Sequence, residues 1–288
     1  MRSGLQLQRT RRRWRLNRIG GGVLVWISFV IIALYLLMAL FPTWFYAYDP
    51  FAIDALSPLQ APSFKHIFGT DEYGRDIYSR IVDGARDTIF IGLGSAILAM
   101  IIGVPLGLIA GYSRGKADSV ISLIVDGTLS FPSMLLAILV VSAWKPSAIT
   151  LIVVIALVNF PRFTMIVRGN VLSLREREYV MAARLSGLSN SRIMFAEILP
   201  NCVTPIIVQA SLLVGNAIVI ETGLSYLGLG LQPPDPSWGG MLTSAQSYIY
   251  IAPWYSAAPG LAILLAVFAV NILGDYLSDK MDVRRRME

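Results

Sequence analysis

The sequence predicts an all-α membrane protein of six transmembrane helices with both ends on the cytoplasmic side, and three observations carry that prediction. The first is composition: 55% of the 288 residues are hydrophobic against 15% charged, with a mean hydropathy of +0.63. That is too apolar for a water-soluble domain and suits a chain whose solvent is the bilayer. The second is segmentation. Apolar runs at 21–41, 88–112, 119–143, 149–167, 203–227 and 253–274 are each long enough to cross about 30 Å of hydrocarbon as a helix. The third is charge asymmetry. With the N-terminus inside, only Lys65, Arg75, Arg80, Arg86 and Lys145 of the 24 lysines and arginines fall outside, the distribution the positive-inside rule requires.

Taken in order, the chain opens on a basic cytoplasmic tail, 1–20, carrying Arg9, Arg11, Arg12, Arg13, Arg15 and Arg18. The uncharged stretch that follows exceeds the roughly 7–15 apolar residues of a secretory leader and ends without a small-x-small cleavage site. It therefore reads as a retained first span. An outer loop, 42–87, begins with Pro42, Pro50, Pro58 and Pro62, which favour extended backbone on the surface. Thr70 or Asp71 is placed to cap a short amphipathic helix through Ile77, Ile81 and Val82. Asp71, Glu72 and Asp76 lack the ligand spacing of a calcium loop and read as partners of nearby arginines. His66 reads as solvated, and no metal site is predicted around it or the lone Cys202. The third span contains Pro132, expected to kink it. Before the sixth span, Gln232-Pro233-Pro234-Asp235-Pro236-Ser237-Trp238 cannot continue a helix and reads as an outer loop with Trp238 packed on protein. The six spans form one membrane domain, 21–274, followed by a cytoplasmic tail, 275–288. The net charge of +6 is scattered between apolar runs, which suits anionic lipid headgroups and not a nucleic-acid face.

The loop between the fourth and fifth spans, 168–202, is too polar for lipid. Arg175, Glu178, Met181, Ala182, Ala183 and Leu185 predict a helix from about residue 174 to 185. Gly187 supplies the left-handed residue that ends it, and Ser189 caps a second helix with Leu188 and Ile193 spaced as a hydrophobic staple. The second helix is expected to stop at Leu199-Pro200. The product is a helix, a turn and a helix projecting from the membrane, with small residues at the bend where another protein's backbone can approach.

The spacing Ala182-Ala183, three residues, Gly187, then Leu199-Pro200 resembles the cytoplasmic loop of ABC importer permeases, in which a short coupling helix docks on the ATPase subunit. Met181 stands where that motif has glutamate, and Glu197 where it usually has isoleucine; both leave the helical pattern intact. Further likeness lies in Gly69-Thr70-Asp71 with Gly74-Arg75-Asp76, in 174–180, and in Leu224-Ser225-Tyr226-Leu227-Gly228-Leu229-Gly230 with Gln232-Pro233-Pro234. Together these are similar to the C-type subunit of the dipeptide/oligopeptide/nickel permease family. The resemblance implies a type I ABC importer permease fold in the bacterial cytoplasmic (inner) membrane. The implied partners are a homologous B-type permease, two ATPase subunits and an external or lipid-anchored solute-binding protein. Arg175, Glu178, Ala182, Ala183, Gly187, Leu188, Ser189 and Pro200 become the expected ATPase-coupling residues. Dipeptides or oligopeptides are the implied cargo, with nickel or another small solute open.

The chain carries no phosphate-binding loop: Gly115-Lys116 is followed by Ala117, and Ala110 stands where the motif needs its first glycine. ATP and magnesium are therefore expected in partner subunits, with no cofactor and no catalytic residue here. An ion-coupled carrier is the competing class, and it needs acidic residues deep in its spans. Asp126 and Glu221 qualify. Asp126 and Arg162 lie at similar depths in the third and fourth spans and are expected to pair, and Glu221 is expected at the outer end of the fifth, where it can reach water or cap the irregular segment that follows. Ser130, Ser133, Gln209, Asn216 and Glu221 are candidates for a translocation path, each also readable as an interhelix hydrogen-bonding group.

Overall fold

A computed structural model describes residues 18–113 and 115–285. Most of the predicted basic tail 1–20, Arg114 and the last three residues lie outside that range. Among the described residues five helices are long and apolar enough to span a membrane, or six spans if one bent pair counts as a single span. In chain order the long elements are α1 (Arg18–Leu40), α2 (Ile77–Ser113), the pair α3 (Lys116–Leu129) and α4 (Ser133–Val141), α5 (Ala148–Leu174), α8 (Leu199–Tyr226) and α10 (Pro253–Arg285). Short helices α6 (Glu178–Leu185) and α7 (Asn190–Arg192) lie before α8, and α9 (Trp238–Ala245) follows it.

The outer segment between α1 and α2 is built of turns around buried charges. Asp71 accepts from the backbone N–H groups of Tyr73 and Arg75, both at 2.9 Å, and from Arg75 Nε at 2.6 Å. Thr70 accepts from Gln60 N–H and donates to the Ser57 carbonyl. Both are thus committed to the turn, and the cap of α2 falls to Asp76, which accepts from the Ser79 N–H at 2.8 Å and the Ser79 hydroxyl at 2.7 Å. His66, expected in solvent, is buried, with Nδ1 2.9 Å from Asp76 Oδ1 and its ring against Tyr48. The predicted short helix at Ile77 and the second span prove to be one helix of 37 residues, about 55 Å long, because nothing between Val82 and Thr88 breaks it. Its first turns hold Trp238, which is fully buried as expected and donates from Nε1 to the Ile81 carbonyl at 2.9 Å.

α2 and α5 run parallel in close contact. Gly94 faces Ile152, Gly103 faces Phe160 and Phe163, Gly107 faces Thr164 and Val167, and Gly111 faces Val171. A Cβ at Gly103, Gly107 or Gly111 would lie 2.5–2.9 Å from α5 atoms, including the carbonyl oxygens of Phe160, Thr164 and Arg168. A glycine at every fourth residue lets the two backbones approach as in other small-residue membrane seams. Parallel neighbours demand that the chain between them return across the membrane, and α3 with α4 must provide that crossing. They do so with a 91° break, a sharper event than a kink in one span. Pro132 is extended at the start of α4 (φ −55°, ψ 126°), has no N–H to give, and bars helical geometry at the residue before it. α10 packs antiparallel on α8, with Gly274 against Leu212 and Gly215 against Asn271. It continues past residue 274 to Arg285, so the described part of the predicted tail extends the last helix.

Candidate functional site

The loop between α5 and α8 is a bracket fastened to the end of α2. α5 runs to Leu174, and Arg175 closes it with its N–H on the Val171 carbonyl. The helix predicted from residue 174 begins only at Glu178, because Arg175 is buried and spends Nη1 on the carbonyls of Gly111 and Tyr112 at 3.1 and 3.0 Å. Those carbonyls are among the last of α2 and lack helical partners, so a buried cation satisfies them and complements the helix dipole. Glu178 occupies the first turn of α6 and Arg184 the last, each at the end its charge favours.

Gly187 ends α6 at φ +78°. Its N–H donates to the Arg184 carbonyl at 3.0 Å, and Leu188 N–H donates to the Ala183 carbonyl at 3.2 Å, the paired bonds of a Schellman turn. The Ser189 hydroxyl accepts from Arg192 N–H, as its predicted capping role requires. The second arm does not stop at Pro200. A wide π turn, Ile193–Ile198, carries it into α8, with Leu199 N–H reaching back to the Met194 carbonyl. Pro200 cannot donate and would collide with the preceding turn, so the extra residue in that turn lets one continuous run pass through it.

The two faces of α6 are now distinct. Val180 and Ala183 are buried, packed with Leu108, Tyr112, Val167 and Ile193. Met181 and Leu185 point outward, Leu185 being 90% exposed. Ala182, Glu178, Gly187, Ser189 and Pro200 are exposed, Leu188 is half-buried, and Arg175 is buried. Ala183 and Arg175 therefore serve the inside of the bracket and present nothing to a partner. Leu185 escaped the sequence reading, although Met181 and Leu185 at i and i+4, opposite Val180 and Ala183, are the residues that periodicity assigns to the outer face.

Tyr112 also escaped it. This buried residue accepts at its hydroxyl from Arg184 Nε (3.2 Å) and donates to Asn190 Oδ1 (3.0 Å), while the Arg184 guanidinium lies over its ring, 4.9 Å from the centroid. A second clasp joins α3 to α5: Arg168 donates from Nε and Nη2 to the two oxygens of Asp118 at 2.6 and 2.9 Å.

That clasp replaces the expected pair of Asp126 with Arg162, which is not formed. Val125 is the α3 residue that is buried, and Asp126, about 100° further round the helix, is exposed; Arg162 is half-buried. Asp118, at the start of α3 beside the end of α5, is the carboxylate in reach of an arginine. Glu221 does not reach water. It is 1% exposed and accepts from the Ser225 hydroxyl at 2.7 Å, in a part of α8 covered by Gly239 of α9. Ser130, next to the break, donates to the Asp126 carbonyl of its own helix, and Ser133 is half-buried at the start of α4. Gln209 and Asn216, seven residues apart on α8, share a half-buried face. Glu221, five residues beyond Asn216, turns elsewhere, so the candidate path residues do not form one lining within this chain.

A family profile described as binding-protein-dependent transport system inner membrane component matches residues 103–283. The dipeptide transport system permease protein DppC of Alkalihalophilus pseudofirmus is 44% identical over 260 residues, 90% of this chain and 86% of that protein. The di/tripeptide transport system permease protein DppC of Pseudomonas aeruginosa is 40% identical over 275 residues, 93% and 90% of the two chains. The glutathione transport system permease protein GsiD of Pectobacterium atrosepticum is 44% identical over 223 residues, 77% and 74% of the two. Among solved structures, a chain of the MetNI methionine ABC transporter in an inward-facing conformation superposes with a TM-score of 0.58 at 17% identity, covering 69% of this chain and 95% of that one. At that identity the likeness is one of fold.

Proposed function

The chain belongs to the family of binding-protein-dependent transport system inner membrane components, and from that premise we propose that it forms, with a homologous partner permease, an alternating-access path for dipeptides or oligopeptides across the bacterial inner membrane. Energy enters through two ATPase subunits, which bind ATP and magnesium; this chain contributes no cofactor and no catalytic group. An external or lipid-anchored binding protein delivers the solute.

The observation that supports this best is the outward face of α6. An apolar pair, Met181 and Leu185, lies on the exposed face of a helix whose other face is buried in the helical body. Met181 and Leu185, neighbours at i and i+4 on one face, give a partner subunit an apolar pair whose burial would favour docking. The bracket beneath it is tied to α2, α5 and α8 at once, so a push on α6 reaches three membrane helices.

The test is reconstitution of the chain with its partner permease, both ATPases and the binding protein in vesicles. Uptake of labelled dialanine that requires ATP and is blocked by vanadate is expected, and Leu185→Glu should lose ATPase subunits on co-purification while the two permeases remain paired. Uptake without ATPases, abolished only by a protonophore, would overturn the reading in favour of an ion-coupled carrier.

A further inference from the structure

We propose that Tyr112 is the positioning residue that locks the two arms of the cytoplasmic bracket to the fused α2–α5 unit, so that movement of α6 is passed to that unit as a whole. The inference rests on the reading of α6 as the ATPase docking helix and goes beyond it, to the route by which a displacement there enters the membrane.

Tyr112 lies at the cytoplasmic end of α2, one residue from Gly111, the last glycine of the seam with α5. Its hydroxyl serves both arms together: Arg184 of α6 donates to it, and it donates to Asn190 at the start of the run into α8. One oxygen thus closes a bond network over elements separated by 72 and 78 residues in sequence. The ring is held independently of the hydroxyl. It is buried in the cluster of Leu108, Val167, Val180 and Ile193, and Arg184 lies over its face. Arg175 adds a second tie through the carbonyls of Gly111 and Tyr112.

What lies above this point is stiff. Gly103, Gly107 and Gly111 bring the α2 backbone so close to α5 that no side chain fits between them. Close-packed interfaces of this kind shift as units and do not deform smoothly. Without the hydroxyl, α6 remains joined to α5 through the turn at 175–177 and remains able to meet the ATPase, but its tie to α2 and to the arm entering α8 is slackened. Docking and transmission should therefore separate in a variant that removes only that oxygen.

Tyr112→Phe keeps the ring, its packing and the guanidinium stack. In vesicles holding the whole complex, the measurements are ATPase subunits retained on purification, ATP hydrolysis, and labelled dialanine imported per ATP hydrolysed. Tyr112→Phe is expected to retain the ATPases and to lower the import-to-hydrolysis ratio by about tenfold, the scale of losing one hydrogen bond. Asn190→Ala should lower the same ratio less, and the double variant should be no worse than Tyr112→Phe, since both remove one linkage. A ratio within about twofold of the parent, with ATPases retained, would overturn the proposal, as would loss of the ATPases from a folded Tyr112→Phe complex, which would place the hydroxyl in docking and not in transmission. A parent complex that binds no ATPase through α6, shown by full docking of Leu185→Glu, would instead sink the underlying reading of the loop.

Discussion

Replacing Gly107 with alanine places a methyl group 2.7 Å from the Thr164 carbonyl oxygen and 2.7 Å from Val167 Cβ, closer than carbon atoms tolerate. Neither neighbour can swing aside, since one is backbone and the other is the root of a β-branched side chain on a helix. The seam must open by roughly an ångström, which costs about 1–3 kcal/mol for an overpacked interior. Spreading the helices also strains the Thr164 hydroxyl bond to the Gly103 carbonyl, now 3.2 Å, worth about 1 kcal/mol. Against this stands the gain of about 0.5–1 kcal/mol that alanine brings over glycine in a helix. The penalty wins, leaving a net loss of about 1–3 kcal/mol. Gly169, on α5 and with nothing within 4 Å of a built Cβ, supplies the control: there only the propensity gain operates, and Gly169→Ala should be neutral or slightly stabilising. Thermal unfolding of the detergent-solubilised permease pair reads the difference as several degrees, at about 2–4 °C per kcal/mol for a chain of this size. If Gly107→Ala unfolds at or above the temperature of Gly169→Ala, the α2–α5 seam does not hold the fold together and the stiffness argued for it fails.

Three further outcomes follow from the placement of single residues. Ala182→Asp, on the exposed face of α6, should leave folding unchanged and block ATPase co-purification, whereas Ala183→Asp buries a charge among Leu108, Val167 and Ile193 and should lower the yield of folded permease; equal behaviour would contradict the assigned faces. Asp126→Asn should leave folded yield unaltered, because the carboxylate is exposed and unpaired with Arg162, while Asp118→Asn, breaking a partly exposed bidentate pair, should cost no more than about 1 kcal/mol. A large loss from Asp126→Asn, restored by Arg162→Gln, would revive the pair the structure rejects. Finally, a cysteine at exposed Lys65 should react with an impermeant thiol reagent from the outside, and one at exposed Ser186 only after permeabilisation, the buried Cys202 staying silent; the reverse pattern would invert the topology.

Much of this architecture could be read from residues one at a time or in short windows. Hydropathy over about 20 residues sets which segments leave water, and the lysine and arginine distribution sets their direction. The bracket was legible for the same reason: the left-handed Gly187, the Ser189 cap and the proline at residue 200 are local signals that act through backbone conformation. The glycine spacing 103, 107, 111 was present in the sequence as well, but it names a close approach without naming the helix that makes it.

What only the tertiary structure decided is which surfaces meet. The spans are apolar on every side, so no amphipathic stripe says which face turns inward, and pairings such as Asp118 with Arg168 depend on where two helix ends arrive after a 91° break. Local rules foresaw a kink at Pro132 but not its angle, which is set by the need to bring the chain back between parallel α2 and α5. They assigned Thr70 or Asp71 to a helix cap, because capping propensity ignores the turns that had already claimed those side chains. Ala182 and Ala183 were alike in the sequence; Tyr112 and Ile193, packed on one side of α6, made one an outer residue and the other a core residue. Burial and partner choice are properties of at least two elements together, and a single chain segment carries no record of its neighbour until the fold brings them into contact.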